Sequence, residues 1–387
     1  MTFPHLAIAA TLLAAAIIGP SSLPAQAGCV APAVRTGAAE KLRALLDSLI
    51  SAHQEVPGIA MHVEAPSSCL TWSGSAGVLD RETRRTLSLD NPHRIASNTK
   101  TFVAVSIFRL WEDGKLRLDD PIRRHLPAEF LDALRGDDYD VDRITIRHLL
   151  THTSGIFDHT TDPRYFEFVA ANPTYRWSRL EQVTRGSEWG TPYGAPGETF
   201  HYSDTGYLLL GEIVERLSGK PYARAVRDLV DFRRLGLAST WMETLEPVPD
   251  GVPERAHQYQ QETDTHGWDP SLDLWGGGGI ATTMRDLAVF FGAAATGRVY
   301  RNPATIDTVR ALQIVGAKND RGFRGGMQKL QIGSLEVWGH TGYWNTFAYY
   351  IPALDLSIAG SVTQNQTRAG RRLQMRALET LREAIGT

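Results

Sequence analysis

The apolar positions of this chain change period several times, and each change marks an element. Between Thr36 and Glu55, the residues Leu42, Leu45, Leu46, Leu49 and Ile50 fall on one helical stripe, which Pro57-Gly58 ends. "GIAMHVE" (58–64) and "LTWSGSAGVLD" (70–80) then read as strands joined by the turn formers of "APSS". "SNTKTFVAVSIFRLWEDG" (97–114) predicts a helix stopped by Gly114. "ITIRHLLTHTSGI" (144–156) predicts a short helix running into a glycine turn, and "TPYGAPGETF" (191–200) a loop. "DTGYLLLGEIVERLSG" (204–219) is an amphipathic helix closed by Gly219. Four glycines, Gly276 to Gly279, precede another helix, whose start is marked by Thr283 and Asp286 at capping-box spacing. "MQKLQIG", "LEVWGHTG", "TFAYYIP" and "LDLSIAGSVT" are short alternating segments expected to form consecutive antiparallel strands. A helix over "AGRRLQMRALETLREAI" (369–385) closes the pattern.

Strands thus cluster near both ends and helices fill the middle. The simplest packing is an α+β fold in which both ends share one antiparallel sheet, flanked by N- and C-terminal helices. The expected boundaries are 28–95 and 325–387 for the sheet domain and 96–324 for a mainly helical inserted domain. A groove between them is the natural place for a ligand.

Composition narrows the picture. The chain has 387 residues, 42% of them hydrophobic, enough for a large core. A formal net charge of -3 in mixed charges gives no electrostatic basis for a nucleic-acid partner. The stretch Leu6–Gly19 is apolar, and small residues at Ala25 and Ala27 follow it. Residues 1–27 therefore read as a secretory signal cleaved after Ala27, too short in its apolar run for a membrane span. Gln26, three before Cys29, argues against lipid attachment. The expected mature protein is exported, periplasmic or extracellular, without stable membrane insertion. There, the two cysteines, Cys29 and Cys69, are expected to form one disulfide.

Three short stretches carry chemistry. Ser97 and Lys100 share a face when helical, so the amine can reach the hydroxyl. Tyr202, in "FHYSDTGY", sits where a loop meets a helix and offers a phenol for proton relay. His340-Thr341-Gly342 ends a predicted strand: His340 offers a polar or cationic group, and Gly342 lets a substrate backbone approach.

Ser97-Asn98-Thr99-Lys100, Tyr202-Ser203-Asp204 and His340-Thr341-Gly342 resemble, in order and rough spacing, the motifs of the penicillin-recognising serine hydrolases. The likeness is to the branch of class C beta-lactamases, serine D-alanyl-D-alanine carboxypeptidases, D-aminopeptidases and related esterases. "IRHLLTHTSGIFDH", "PYGAPGETFHYSDTGYLLLGEIVERLSGKPY" and "WGGGGIATTMRDLAVFF" look like intervening landmarks, so the resemblance runs from about Ala38 to the C-terminus. It implies a beta-lactamase/transpeptidase-like fold. It implies Ser97 as the acylated nucleophile, Lys100 and Tyr202 as proton carriers, and His340 as a group that tunes the site. The oxyanion would be held by the backbone N–H groups of Ser97 and Tyr343, and Thr341 would contact a substrate carboxylate. Asp204 departs from the asparagine common at that place. An ionised aspartate only accepts hydrogen bonds, so it is expected to pair with Lys100 or accept from a substrate N–H.

Trp344 and Asn345 are expected to line the substrate groove with Gly342, and Trp189 and Tyr193 to wall it. His148, His152 and His159 lack a metal-site pattern and read as structural. Gly276–Gly279 lacks the lysine of a phosphate loop and reads as close backbone packing beside the cleft. Asn365-Gln366-Thr367 matches a glycosylation acceptor without other support. No metal or cofactor is implied. The expected activity is hydrolysis of a small peptide, amide, ester or beta-lactam through an acyl-enzyme. A D-Ala-D-Ala carboxypeptidase-like peptidase is the first choice; the alternatives are an esterase or amidase, a D-aminopeptidase, a class C-like beta-lactamase, or a non-catalytic ligand-binding homologue.

Overall fold

The computed structural model describes residues 28–314 and 322–385. The expected signal segment, 1–27, lies outside the described residues. Seven antiparallel strands form the central sheet: β1 (Gly58–Ala65), β2 (Leu70–Gly77), β3 (Phe323–Arg324), β4 (Met327–Ile332), β5 (Leu335–Gly342), β6 (Thr346–Ile351) and β7 (Leu356–Val362). Their order is β2-β1-β7-β6-β5-β4-β3, so β1 and β7 join the early and late parts of the chain. Ile59 pairs with Val362 across that join.

The period-2 alternation decides what each face covers. Ile59, Met61, Val63, Phe347, Tyr349 and Ile358 share a core with Leu42, Leu46 and Leu49 of helix α1 (Pro32–Ala52). Leu373, Leu378 and Leu381 of the C-terminal helix α5 (Ala369–Ile385) join them, and α1 packs on α5. The intervening residues Ala60, Ala348 and Ala359 face the other way. Their small side chains admit helix α4 (Met284–Ala295), which packs on β1, β6 and β7. Although α4 falls between 96 and 324 in sequence, it covers the sheet's second face. Thr283 accepts from Asp286 N–H at its start, at 3.3 Å. Asp286 does not reciprocate; it accepts from Ser239 N–H and the Thr240 hydroxyl at 2.8 and 3.0 Å.

Helix α2 (Thr99–Glu112) is buried from Thr99 through Leu110, between helix α3 (Asp204–Ser218) and the helix Tyr222–Val230. That explains its apolar run on all sides. Gly219 ends α3 in the left-handed region, φ 69°. A second, three-stranded sheet places His93–Arg94 and Trp241–Met242 on either side of Ile280–Thr282. It brings the chain just before Ser97 against the glycine run. Cys29 and Cys69 form a disulfide that ties the segment before α1 to the turn before β2. Among the described residues, no helix is long and apolar enough to cross a membrane.

Candidate active site

Ser97 lies on a single 3-10 turn, Ala96–Asn98, immediately before α2 begins at Thr99. Ala96 holds a left-handed φ of 44°, a strained conformation for a residue with a side chain. The Asn98 side-chain amide donates to Ile95 C=O at 2.9 Å and to the Thr346 hydroxyl at 3.0 Å, pinning the turn to β6. Lys100, one turn further, is wholly buried. Its ammonium donates to Ser97 Oγ at 2.9 Å and to Gly277 C=O at 2.7 Å, and it pairs with the Asp204 carboxylate. Three N–H donors thus meet three acceptors. Asp204 is the first residue of α3, where the helix dipole favours its negative charge.

Tyr202 stacks on the His152 ring, centroids 4.3 Å apart, and His152 stacks on Tyr207 in turn. His152 Nδ1 accepts the Ser203 N–H at 3.0 Å, so the ring proton is on Nε2. Burial, and then Lys100, hold His152 well below the ordinary histidine range. The Tyr202 phenol is pushed well above its usual range by burial, then by Asp204, against the neighbouring Ser97 hydroxyl. It stays protonated. Lys100 Nζ lies 5.0 Å from the centre of the Tyr202 ring.

His340 closes the third side from β5. Burial and then Lys100 push it down to about 3. Its Nδ1 lies 2.6 Å from Thr341 C=O, an oxygen that only accepts, so Nδ1 carries the proton. Nε2 is a buried acceptor without a partner among the described residues. The group is therefore neutral and not the cation that the sequence allowed. Gly342 has a packing reason to be glycine besides its place on the cavity. A Cβ there would collide with Ile95 C=O and the Thr346 hydroxyl, so glycine lets β5 press against the turn that carries Ser97. No turn, loop or cap hydrogen bond among the described residues uses the backbone N–H of Ser97 or Tyr343.

These groups line a cavity of about 420 Å³. Ser97, Tyr202, Asp204, His340, Thr341, Gly342, Tyr343 and Trp344 all face it, with Lys100 beneath Ser97. Asn345 does not line the cavity. It occupies the turn between β5 and β6 at φ 57°, and its amide donates to Gln364 C=O at 2.9 Å. Trp189 and Tyr193 also lie off it, against Arg164 and His201 respectively. The three set-aside histidines have separate partners. His148 belongs to the cap at Thr145, His152 backs Tyr202, and His159 Nδ1 meets the Thr205 hydroxyl at 2.9 Å.

A family model described as Beta-lactamase matches residues 46–382. The chain belongs to the beta-lactamase family. It is a serine hydrolase of that superfamily, which spans carboxypeptidase, amidase and esterase branches. It is 31% identical to Esterase EstB of Burkholderia gladioli over 291 residues, covering 72% of this chain and 70% of the esterase. A D-stereospecific amidohydrolase from Streptomyces sp. superposes with a TM-score of 0.73 at 25% identity, covering 87% of this chain and 97% of its own. D-amino acid amidase from Ochrobactrum anthropi SV3 shares the fold with a TM-score of 0.76 at 22% identity, covering 90% and 99%.

On this beta-lactamase-family frame, the site holds residues that sequence reasoning missed. Asp158 and Asp273 line the same cavity as Asp204. Asp158 accepts from Thr160 N–H and its hydroxyl at 3.0 and 2.9 Å. Asp273 sits over the glycine run, with Oδ1 3.3 Å from where a Gly277 Cβ would be. Each acid is pushed up to about 7, by burial first and then by Asp204. Only adjacency to recognised stretches could have flagged them: Asp158 follows "TSGIF" and Asp273 precedes the four glycines. Those glycines pack tightly. A Cβ on Gly276 would strike Tyr207 C=O, and Gly277 C=O receives Lys100.

Proposed function

We propose that this serine hydrolase acts on small amides or esters through an acyl-enzyme on Ser97. The observation that carries the reading is the Lys100 ammonium, shared among Ser97 Oγ, Asp204 and Gly277 C=O. For Lys100 to take the Ser97 proton it must first release one, and the paired Asp204 carboxylate is the adjacent acceptor. Ser97 Oγ then attacks the carbonyl carbon while Lys100 receives its proton. The backbone N–H groups of Ser97 and Tyr343 hold the oxyanion. Tyr202, kept protonated, gives its proton to the leaving amine or alkoxide and regains one from Lys100. Water attacks the acyl carbon along the reverse path and frees Ser97. Thr341, Gly342 and Trp344 form the walls that contact substrate.

Two features favour an amidase or esterase over the carboxypeptidase first expected from sequence. A C-terminal carboxylate is best met by positive charge, and His340, held neutral with a buried, unpartnered Nε2 among the described residues, offers none. The likeness to Esterase EstB, and to a D-stereospecific amidohydrolase, points the same way. Export, with 1–27 as leader, is part of the same reading.

The test uses purified protein, a fluorescent fluorophosphonate and a panel of p-nitrophenyl esters, D- and L-amino-acid amides, and D-Ala-D-Ala peptides. We expect labelling at Ser97, turnover of esters or amides above peptides, and a fall of at least about 10³-fold in Ser97→Ala. Labelling at another residue, or turnover that survives Ser97→Ala, refutes the assignment.

A further inference from the structure

The cavity is acidic beyond what its chemistry needs. Lys100 and Asp204 neutralise one another, which leaves Asp158 and Asp273 lining the same cavity. No hydrogen bond or ion pair to the Asp273 side chain is found among the described residues. Arg94 lies behind Asp273, but its donors go to Glu243, Thr265 C=O and Trp268 C=O. Both carboxyls line one cavity beside Asp204, and burial first, then the Asp204 charge, push each up to about 7, which a cation brought among them would relieve. A second, independent sign is His340 Nε2. His340 lines the cavity on a side chain 4% exposed, and its buried Nε2 has no donor to meet it among the described residues. A ligand that fits both features brings N–H donors and positive charge.

We propose that Asp158 and Asp273 bind a free ammonium group carried close to the scissile carbonyl of the substrate, so that the preferred acyl donor is an amino-acyl amide or ester. This rests on the amide- or ester-hydrolase reading above and names its substrate class. Position follows from Gly277. Its carbonyl holds the Lys100 amine that touches Ser97, and its α-carbon faces both Asp273 and Asp204. An ammonium among these acids therefore lies near the reacting carbonyl. The lining also offers an apolar patch: Phe166 stacks on Tyr343 at 5.2 Å, and Leu272 and Trp344 line the same cavity. That surface suits an aromatic or aliphatic side chain.

The experiment compares three esters that differ only in the amine: phenylalanine methyl ester (both enantiomers), its N-acetyl form, and methyl 3-phenylpropanoate. The comparison is made near about pH 6.5, where an α-amine is protonated. The free amine is expected to show kcat/KM at least about tenfold above both analogues for one enantiomer. Asp273→Asn and Asp158→Asn should each shrink that ratio by about tenfold. Equal or better turnover of the acetylated or amine-free ester by the wild type overturns the proposal, as does a ratio unmoved in both variants. If no ester or amide is turned over, the hydrolase reading fails and binding decides the proposal separately. Calorimetry of Ser97→Ala with phenylalanine amide should then give at least about tenfold tighter binding than with N-acetylphenylalanine amide. Equal affinities, or binding of neither, sink it.

Discussion

Asp204 and Asp273 both approach Gly277, and their surroundings set different fates. Asp204 faces a buried ammonium. In Asp204→Asn that charge loses its counter-ion, so activity should fall by about 10²-fold and stability by about 3 kcal/mol. Ester turnover and urea unfolding of the variant measure both; a stability equal to the wild type would show that the pair is not closed in solution. Asp273 has no such partner among the described residues. Its carboxyl moves from an ordinary 3.8 to about 7 on folding, so the native state holds the extra proton between those values. Its contribution is fully present below pH 3.8 and is lost as pH rises through about 7. Asp273→Asn should therefore raise Tm on the order of 2 °C at alkaline pH and leave it nearly unchanged in acid. A gain of equal size at both ends of the range would refute the assignment. His340 and His93, each pushed down to about 3, have the opposite sign. They stay neutral when folded, so stability declines as pH falls below 6.5.

At the scale of elements, two backbones meet at Ser97. The 3-10 turn of Ala96–Asn98 rests against the end of β5, where Gly342 leaves room for Ile95 C=O. Gly342→Ala would push the strand off the turn and shift Tyr343 N–H relative to Ser97. Misplacement of this kind carries a large rate penalty, so kcat/KM should drop by at least about tenfold, read mainly in kcat. An alanine variant with wild-type kcat would mean the strand has slack. This was only half legible from sequence. The serine-lysine spacing predicted a shared helical face, and the hydrogen bond at 2.9 Å bears it out. The helix, however, starts at Thr99 and not at Ser97. Propensity does not show that Asn98 is held by Ile95 and Thr346, the contacts that keep the turn out of the α-helix. Gly342 was visible as a glycine, but its reason lies in a backbone from another part of the chain. Asn345, read as a groove residue, instead uses its side chain to bridge a turn to Gln364.

At the scale of the molecule, the sheet is closed by pairing β1 with β7, so the fold depends on the meeting of chain ends. The disulfide between Cys29 and Cys69 secures one of them across a separation of 40 residues. Replacing both cysteines by serine should lower stability by about 2–4 kcal/mol, seen as an earlier urea midpoint that reducing agent reproduces in the wild type. No shift in either sample would show that the bridge carries no stability. The active-site cavity lies where this sheet faces the middle of the chain, and its acids come from three separate stretches.

Local pattern determined the elements, because a period of 2 or 3.6 is written in consecutive residues: α1, the paired strands of the sheet, α3 and α5 all follow it. Motif chemistry determined Ser97, Lys100 and Tyr202 as candidates, since a hydroxyl, an amine and a phenol announce themselves by residue type. Only tertiary structure decided the charge of the site. Whether His340 is a cation, and whether Asp158 and Asp273 matter, depends on burial and on neighbours far away in sequence. Field strength falls with distance through space, and distance along the chain carries no record of it.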